Sequence, residues 1–176
     1  IPLDGVRPRG EVGVLRSTRA PVDVHVGAGV PIAVAESVRD EAERALDAMQ
    51  YRLRIALPLP DGLRGGTPAL DVYVTREGPA VETSVDALVH GGIFDVATAF
   101  VRVRATDDAI ALKRAVAEGL CEAAVLGQKA DHPRAWVQAL GASLAGEVTG
   151  LAPDATAVAT YQRSSARAVL GPGLPD

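Results

Sequence analysis

Aromatic residues are scarce in this chain, with two Phe, three Tyr and one Trp among 176 residues, so its core must be closed by Val, Leu, Ala and Ile. Cysteine occurs once, at Cys121, which excludes an internal disulfide and an all-cysteine metal cluster. Lysine is confined to Lys113 and Lys129, and Arg carries nearly all the positive charge. That bias reads as codon usage and not as a binding signal. No apolar run approaches the roughly 18 to 20 residues that span a bilayer. No initiator Met and no charged-then-apolar leader are present, so Ile1 is expected to be a processed or cut terminus.

What is present describes an ordinary globular domain. Hydrophobic residues make up 48% and charged residues 23%, and 176 residues form one domain able to bury roughly 70% of its unfolded surface. The net charge of -4 argues against a dedicated nucleic-acid surface. A secreted or periplasmic location is the working expectation, which the single cysteine neither supports nor excludes.

The pattern is strand-rich up to residue 105 and helical over 106–171. Glu11 to Arg16 is a short candidate strand. Val22, Val24 and Val26 alternate with Asp23, His25 and Gly27, the period of a half-buried strand. Beyond Pro31, an amphipathic helix places Val34, Val38, Ala42, Ala45, Leu46, Met49 and Leu53 inward. Glu36, Arg39, Asp40, Glu43 and Asp47 face away. Leu53 to Leu57 is expected to be extended, and Pro58 to Pro68 a turn-rich connection.

Leu70 to Thr75 repeats the strand alternation. A loop from Glu77 to Ala97 is expected next, with a short helix near Thr83 to Leu88 and a turn at Gly91-Gly92. Ala99 to Arg104 reads as an edge-like strand. Thr106 or Asp107 caps a helix that runs to about Gly127. Asp131 and Pro133 open another, ending near Gly150, and Pro153 opens a last one that stops at Gly171-Pro172. The fold class is therefore α+β: a small mixed sheet with one helix between its early strands, followed by a helical part.

A run of sequence features carries a family likeness. It comprises Leu15-Arg16-Ser17 before the Val22 to Val26 strand, the 34–53 helix, Leu70 to Thr75, and Gly91-Gly92 leading to Val101-Arg102-Val103-Arg104. The helix with Ala117-Glu118-Gly119-Leu120-Cys121 follows. In this order the chain resembles the upstream half of zincin-like metallopeptidases of the gluzincin, or peptidase MA-like, group. In that family two histidines at i and i+4 of such a helix bind zinc and the intervening Glu activates water.

Ala117 and Cys121 stand at those two positions, and Ala cannot coordinate a metal. A second alignment makes Ala117-Glu118-Gly119-Leu120 the segment that supplies a third ligand, without any His-Glu-x-x-His before it. Either way the resemblance implies an inactive zinc site, with no metal and no cofactor. Families of this plan continue with more helices, so the chain is expected to be part of a longer polypeptide.

Three functions stay open. The leading one is a non-catalytic binding or structural protein that holds a peptide or protein by strand addition. Its cleft would lie between the Val101 to Arg104 strand and the following helix, with Arg102 and Arg104 facing cleft or solvent. The second is a metallopeptidase completed by a downstream segment or partner chain, with Glu118 as general base. The third is a nucleotide-binding domain using Gly27 and Gly29, although Ile32 replaces the third glycine.

Each residue also has an ordinary reading. Arg114, Glu118 and Glu122 form a solvated i, i+4, i+8 row. Cys121 is a small buried apolar residue. His25, His90 and His132 are scattered, with no pair at helical metal spacing. Gly141-Ala142-Ser143 is helix packing and not a nucleophile elbow.

Overall fold

Five strands hydrogen-bond in the order β1-β2-β3-β5-β4, where β1 is Glu11–Arg16, β2 Val22–Gly27, β3 Leu70–Thr75, β4 Val81–His90 and β5 Asp95–Arg104. The computed structural model describes residues 6–90 and 93–152. β2, β3 and β5 run parallel, while β1 and β4 are antiparallel to their neighbours and form the two edges among the described residues. This mixed sheet, with its three helices, is the α+β class the pattern implies.

The helices are α1 (Ile32–Asp47), α2 (Ala109–Gln128) and α3 (Arg134–Thr149). α1 packs on β2, α2 packs on β5, β4 and α1, and α3 packs on the far side of α2. α1 passes into a π-helical turn, Ala48–Leu53, which ends at Arg54 with a left-handed φ of 57°. The segment after Leu53 is therefore irregular and not a strand. α2 begins where the Asp108 carboxylate accepts from Ile110 N and Ala111 N at 2.9 and 3.0 Å, so the cap is Asp108 and neither Thr106 nor Asp107. α3 ends at Gly150, whose φ of 69° needs no Cβ to be accommodated.

The aliphatic core lies between sheet and helices. Val22, Val24 and Val26 of β2, Val72 and Val74 of β3, and Val101 and Val103 of β5 all point to the helices. α2 meets this layer so closely that a Cβ on Gly119 would lie 2.3 Å from Val101 Cγ1. The two buried residues Tyr73 and Phe100 belong to the opposite face of the sheet. With so few aromatics, the core proper is built of small branched side chains, whose fit depends on backbone approach.

Further expectations need correction. The segment Val81 to His90 is a strand and not a loop with a helix at Thr83 to Leu88. Val81, Thr83 and Val85 turn toward α2, and the register then shifts between Val85 and Ala87, which destroys the period-two signal. Strand β5 is interior and not an edge, because Val101 pairs with Val72 on one side and Thr83 on the other. Glu122 is buried and not solvated, at 3% exposure, because α3 lies over it at Gly141. The expected helix from Pro153 and the Gly91-Gly92 turn fall outside the described residues.

Candidate functional site

β2 and β3 are buried on both faces, so the residues between their valines do not reach water. Asp23, His25, Asp71 and Tyr73 are all under 7% exposed. The segment before β1 and the 57–68 connection lie across this face, and together they place one guanidinium among three carboxylates. Arg7 grips Asp86 through two bonds, Nε to Oδ1 at 3.0 Å and Nη2 to Oδ2 at 2.9 Å. Its Nη2 also donates to Asp61 Oδ2 at 2.7 Å, and its Nη1 to Asp71 Oδ2. The guanidinium carbon stands 5.7 Å from the centre of the Phe100 ring.

His25 extends the cluster. Its Nε2 meets Asp71 Oδ1 at 2.7 Å and its Nδ1 meets Glu11 Oε2. An imidazole with a carboxylate at each nitrogen donates from both, which only the protonated ring can do. Burial disfavours that charge but is outweighed by Asp71 and then Glu11, so the ring titrates above its ordinary value. Asp71 is likewise pulled below the usual range: burial opposes its charge, and bonds from His25 and Arg7 overcome it. His25 is thus a structural cation with no nitrogen left to act as a base.

Beside this cluster opens a groove of about 430 Å³ at the carboxyl ends of β2 and β3. His25 and Tyr73 form its buried lining, with Arg9 and Glu11 from one segment and Arg76 and Glu77 from another. In open sheets with parallel strands, ligands favour this end of the strands. The groove's entrance carries both signs of charge.

The residues singled out from sequence are dispersed. Arg102 pairs with Glu82 at 2.6 Å across the sheet from α2, and Arg104 donates to Gly78 O at 3.1 Å. Neither borders a cleft against α2, because Val101 and Val103 fill that interface. Glu118 is half-buried on α2, between Ala117 and Gly119. Ala117 and Cys121 are 1% and 0% exposed, and burial, with Glu118 and Glu122 nearby, pushes the Cys121 thiol up to about 12.

His90 bonds to Asp95 at 2.7 Å, far from the His25 cluster along the chain and in a different hairpin. Among the described residues no three His, Cys, Asp or Glu side chains converge as a metal site. Gly27 and Gly29 have backbone reasons: a Cβ on Gly27 would lie 2.6 Å from Val74 O, and Gly29 has φ +73°. Gly141 packs against Glu122 within α3.

Sequence reasoning passed over Arg7, Asp61, Asp71 and Asp86. A signal existed in the pairing of Asp23-Val24-His25 with Asp71-Val72-Tyr73. Two valine-rich strands joined by one helix are parallel and buried on both faces, so their intervening polar residues must pair internally. Comparison of the chain with protein-family models, with curated proteins and with solved structures gives no match in any of the three.

Proposed function

We propose that this protein is a non-catalytic binding protein whose ligand, a short peptide or peptide-like zwitterion, occupies the groove at the carboxyl ends of β2 and β3. One observation carries this reading. The groove is lined by Arg9 and Arg76 together with Glu11 and Glu77, while its buried histidine is already saturated by two carboxylates. Such a lining can hold a carboxylate and an ammonium but has no spare proton acceptor on His25 for chemistry. Peptide capture by addition to β5 is not available, since that strand is paired on both sides.

The reading is compatible with descent from a zincin-like metallopeptidase. The order β-β-α-β-β-β-α-α and the tightly packed Ala117 and Cys121 support a degenerate site on α2. The competing reading, a metallopeptidase whose ligands come from elsewhere and whose base is Glu118, predicts stoichiometric zinc in metal-supplied protein by elemental mass spectrometry.

The groove itself is tested by thermal melting with uncapped and doubly capped di- and tripeptides. Uncapped peptides are expected to raise Tm, and Ala28→Trp, an exposed change at the groove wall, is expected to abolish the rise. A shift that survives in Ala28→Trp, or no shift with any peptide, sinks the proposal.

A further inference from the structure

The three carboxylates around Arg7 are each held by something other than Arg7. Asp61 accepts from Leu63 N and Gly65 N, both at 2.9 Å, within its own turn. Asp71 is held by His25 Nε2 at 2.7 Å. Asp86 sits at the irregularity of β4 with Arg64 Nε at 3.5 Å. Gly65 lies so close over Asp71 that a Cβ there would meet the carboxylate, which locks the turn against β3. Phe100, fully buried in the interior strand β5, supplies the aromatic face.

The occupant is held differently. Arg7 belongs to Val6–Gly10, a stretch without regular secondary structure, and its side chain retains 18% exposure while Asp61 and Asp71 have none. The receptor is built into the sheet and its turn, whereas the ligand arrives on a strap.

The geometry points to a guanidinium-recognition site, made by Asp61, Asp71, Asp86 and Phe100, which Arg7 fills from within the chain and which accepts a guanidinium group from another molecule when Arg7 is withdrawn. The chemistry is selective. A planar fork donates to Asp86 through two bonds while its remaining edge reaches Asp61 and Asp71, and its carbon stands 5.7 Å from the centre of the Phe100 ring. An ammonium offers the charge without the fork. The guanidinium can come from a small molecule or from an arginine on another chain, and the site would recognise the same group in both.

The test is chemical rescue. Arg7→Ala in the full chain is expected to lower Tm, because it leaves buried carboxylates short of a cation. Millimolar ethylguanidinium is then expected to raise the Tm of Arg7→Ala by a few degrees and to leave the wild type unchanged. Ethylammonium, sodium and calcium at equal charge are expected to raise the Tm of neither protein. The pentapeptide Val-Arg-Pro-Arg-Gly, capped at both ends, separates the sources. Rescue better than ethylguanidinium assigns an arginine-bearing chain, and equal or weaker rescue assigns a small guanidinium compound.

Equal rescue by ethylammonium or calcium, or none by ethylguanidinium, overturns the inference. If Arg7→Ala does not accumulate folded, the readout becomes folded yield on dilution from urea with each cation present. A yield no higher with ethylguanidinium than with ethylammonium is then the overturning result.

Discussion

His25 lies directly opposite Tyr73 in the parallel register of β2 and β3, and their rings stack 4.4 Å apart at 17°, which delivers the imidazole Nε2 to Asp71 two residues back along β3. Stacking fixes the ring plane, and the two carboxylates fix its charge.

That arrangement sets a pH dependence. His25 titrates above 6.5 in the fold, so its contribution is complete below the unfolded value and is lost as pH rises through the folded one. Asp71 titrates below 3.8, so its contribution is present above that value and is lost as pH falls through the lower, folded one. Urea midpoints are expected to decline as pH rises above 6.5 and through the folded value of His25, and His25→Gln is expected to flatten that slope. An unchanged slope in the variant would show that His25 is not the group responsible.

Removal of the shared anion is expected to be severe. Asp71→Asn leaves Arg7 and His25 facing a neutral amide inside the protein, at a cost of about 3–5 kcal/mol for breaking a buried ionic network. Double substitution with His25→Gln should cost less than the sum of the two single changes, as expected for groups in direct contact. Additive losses in a double-mutant cycle would mean that the pair does not act as a unit.

The close approach of α2 to the sheet is tested by two glycines in opposite settings. Gly119→Ala forces a methyl to 2.3 Å from Val101 Cγ1, and overpacking of about 1–3 kcal/mol outweighs the gain in helix propensity of about 1 kcal/mol. Gly146→Ala meets nothing nearer than Leu151 O at 3.4 Å, so propensity should leave it neutral or stabilised. Equal effects at both positions in denaturant unfolding would contradict the packing described.

Cys121 is expected to resist thiol reagents at pH 8, because burial keeps its thiol protonated up to about 12 and removes it from solvent. Alkylation followed by mass spectrometry should label it only as the protein unfolds. Rapid labelling of native protein would argue for a reactive, accessible site on α2.

Glu122 gives a fifth test. Burial, with Glu118 adding to it, raises its carboxyl above the usual range against the opposing pull of Thr83 and Arg134. The folded state therefore favours the neutral acid, and stability contributed by this group declines as pH rises above its unfolded value of 4.5. Glu122→Gln should be at least as stable as wild type at pH 8 in thermal melts, and a clear loss there would mean that the ionised form is the one the fold needs.

Much of the frame was legible because period and caps are local properties. The alternation of Val22 to Val26 and of Leu70 to Thr75, the helical spacing from Val34, and Pro133 before α3 each announce an element from a few consecutive residues. Strand β4 was illegible for the same reason: the shift at Val85–Ala87 breaks its period, and Thr83, which faces the helix, carries no apolar signal. Glu43 read as outward-facing, yet it is buried and accepts from Ser17 Oγ at 2.7 Å, a partner 26 residues away.

The amino-acid order by itself determined the three helices and the strands other than β4, that the core is aliphatic, and that α2 lacks an ordinary zinc-binding pair. Only the tertiary structure decided where the charges go. Arg7, His25, Asp61, Asp71 and Asp86 come from five separate stretches and meet because β2 and β3 pair in parallel beneath a strap and a turn. Periodicity reports whether a side chain leaves one face of a strand, but what covers that face is set by distant chain. The same Asp-Val-His that would be a wet edge in a solvated sheet becomes, once covered, a buried ionic cluster.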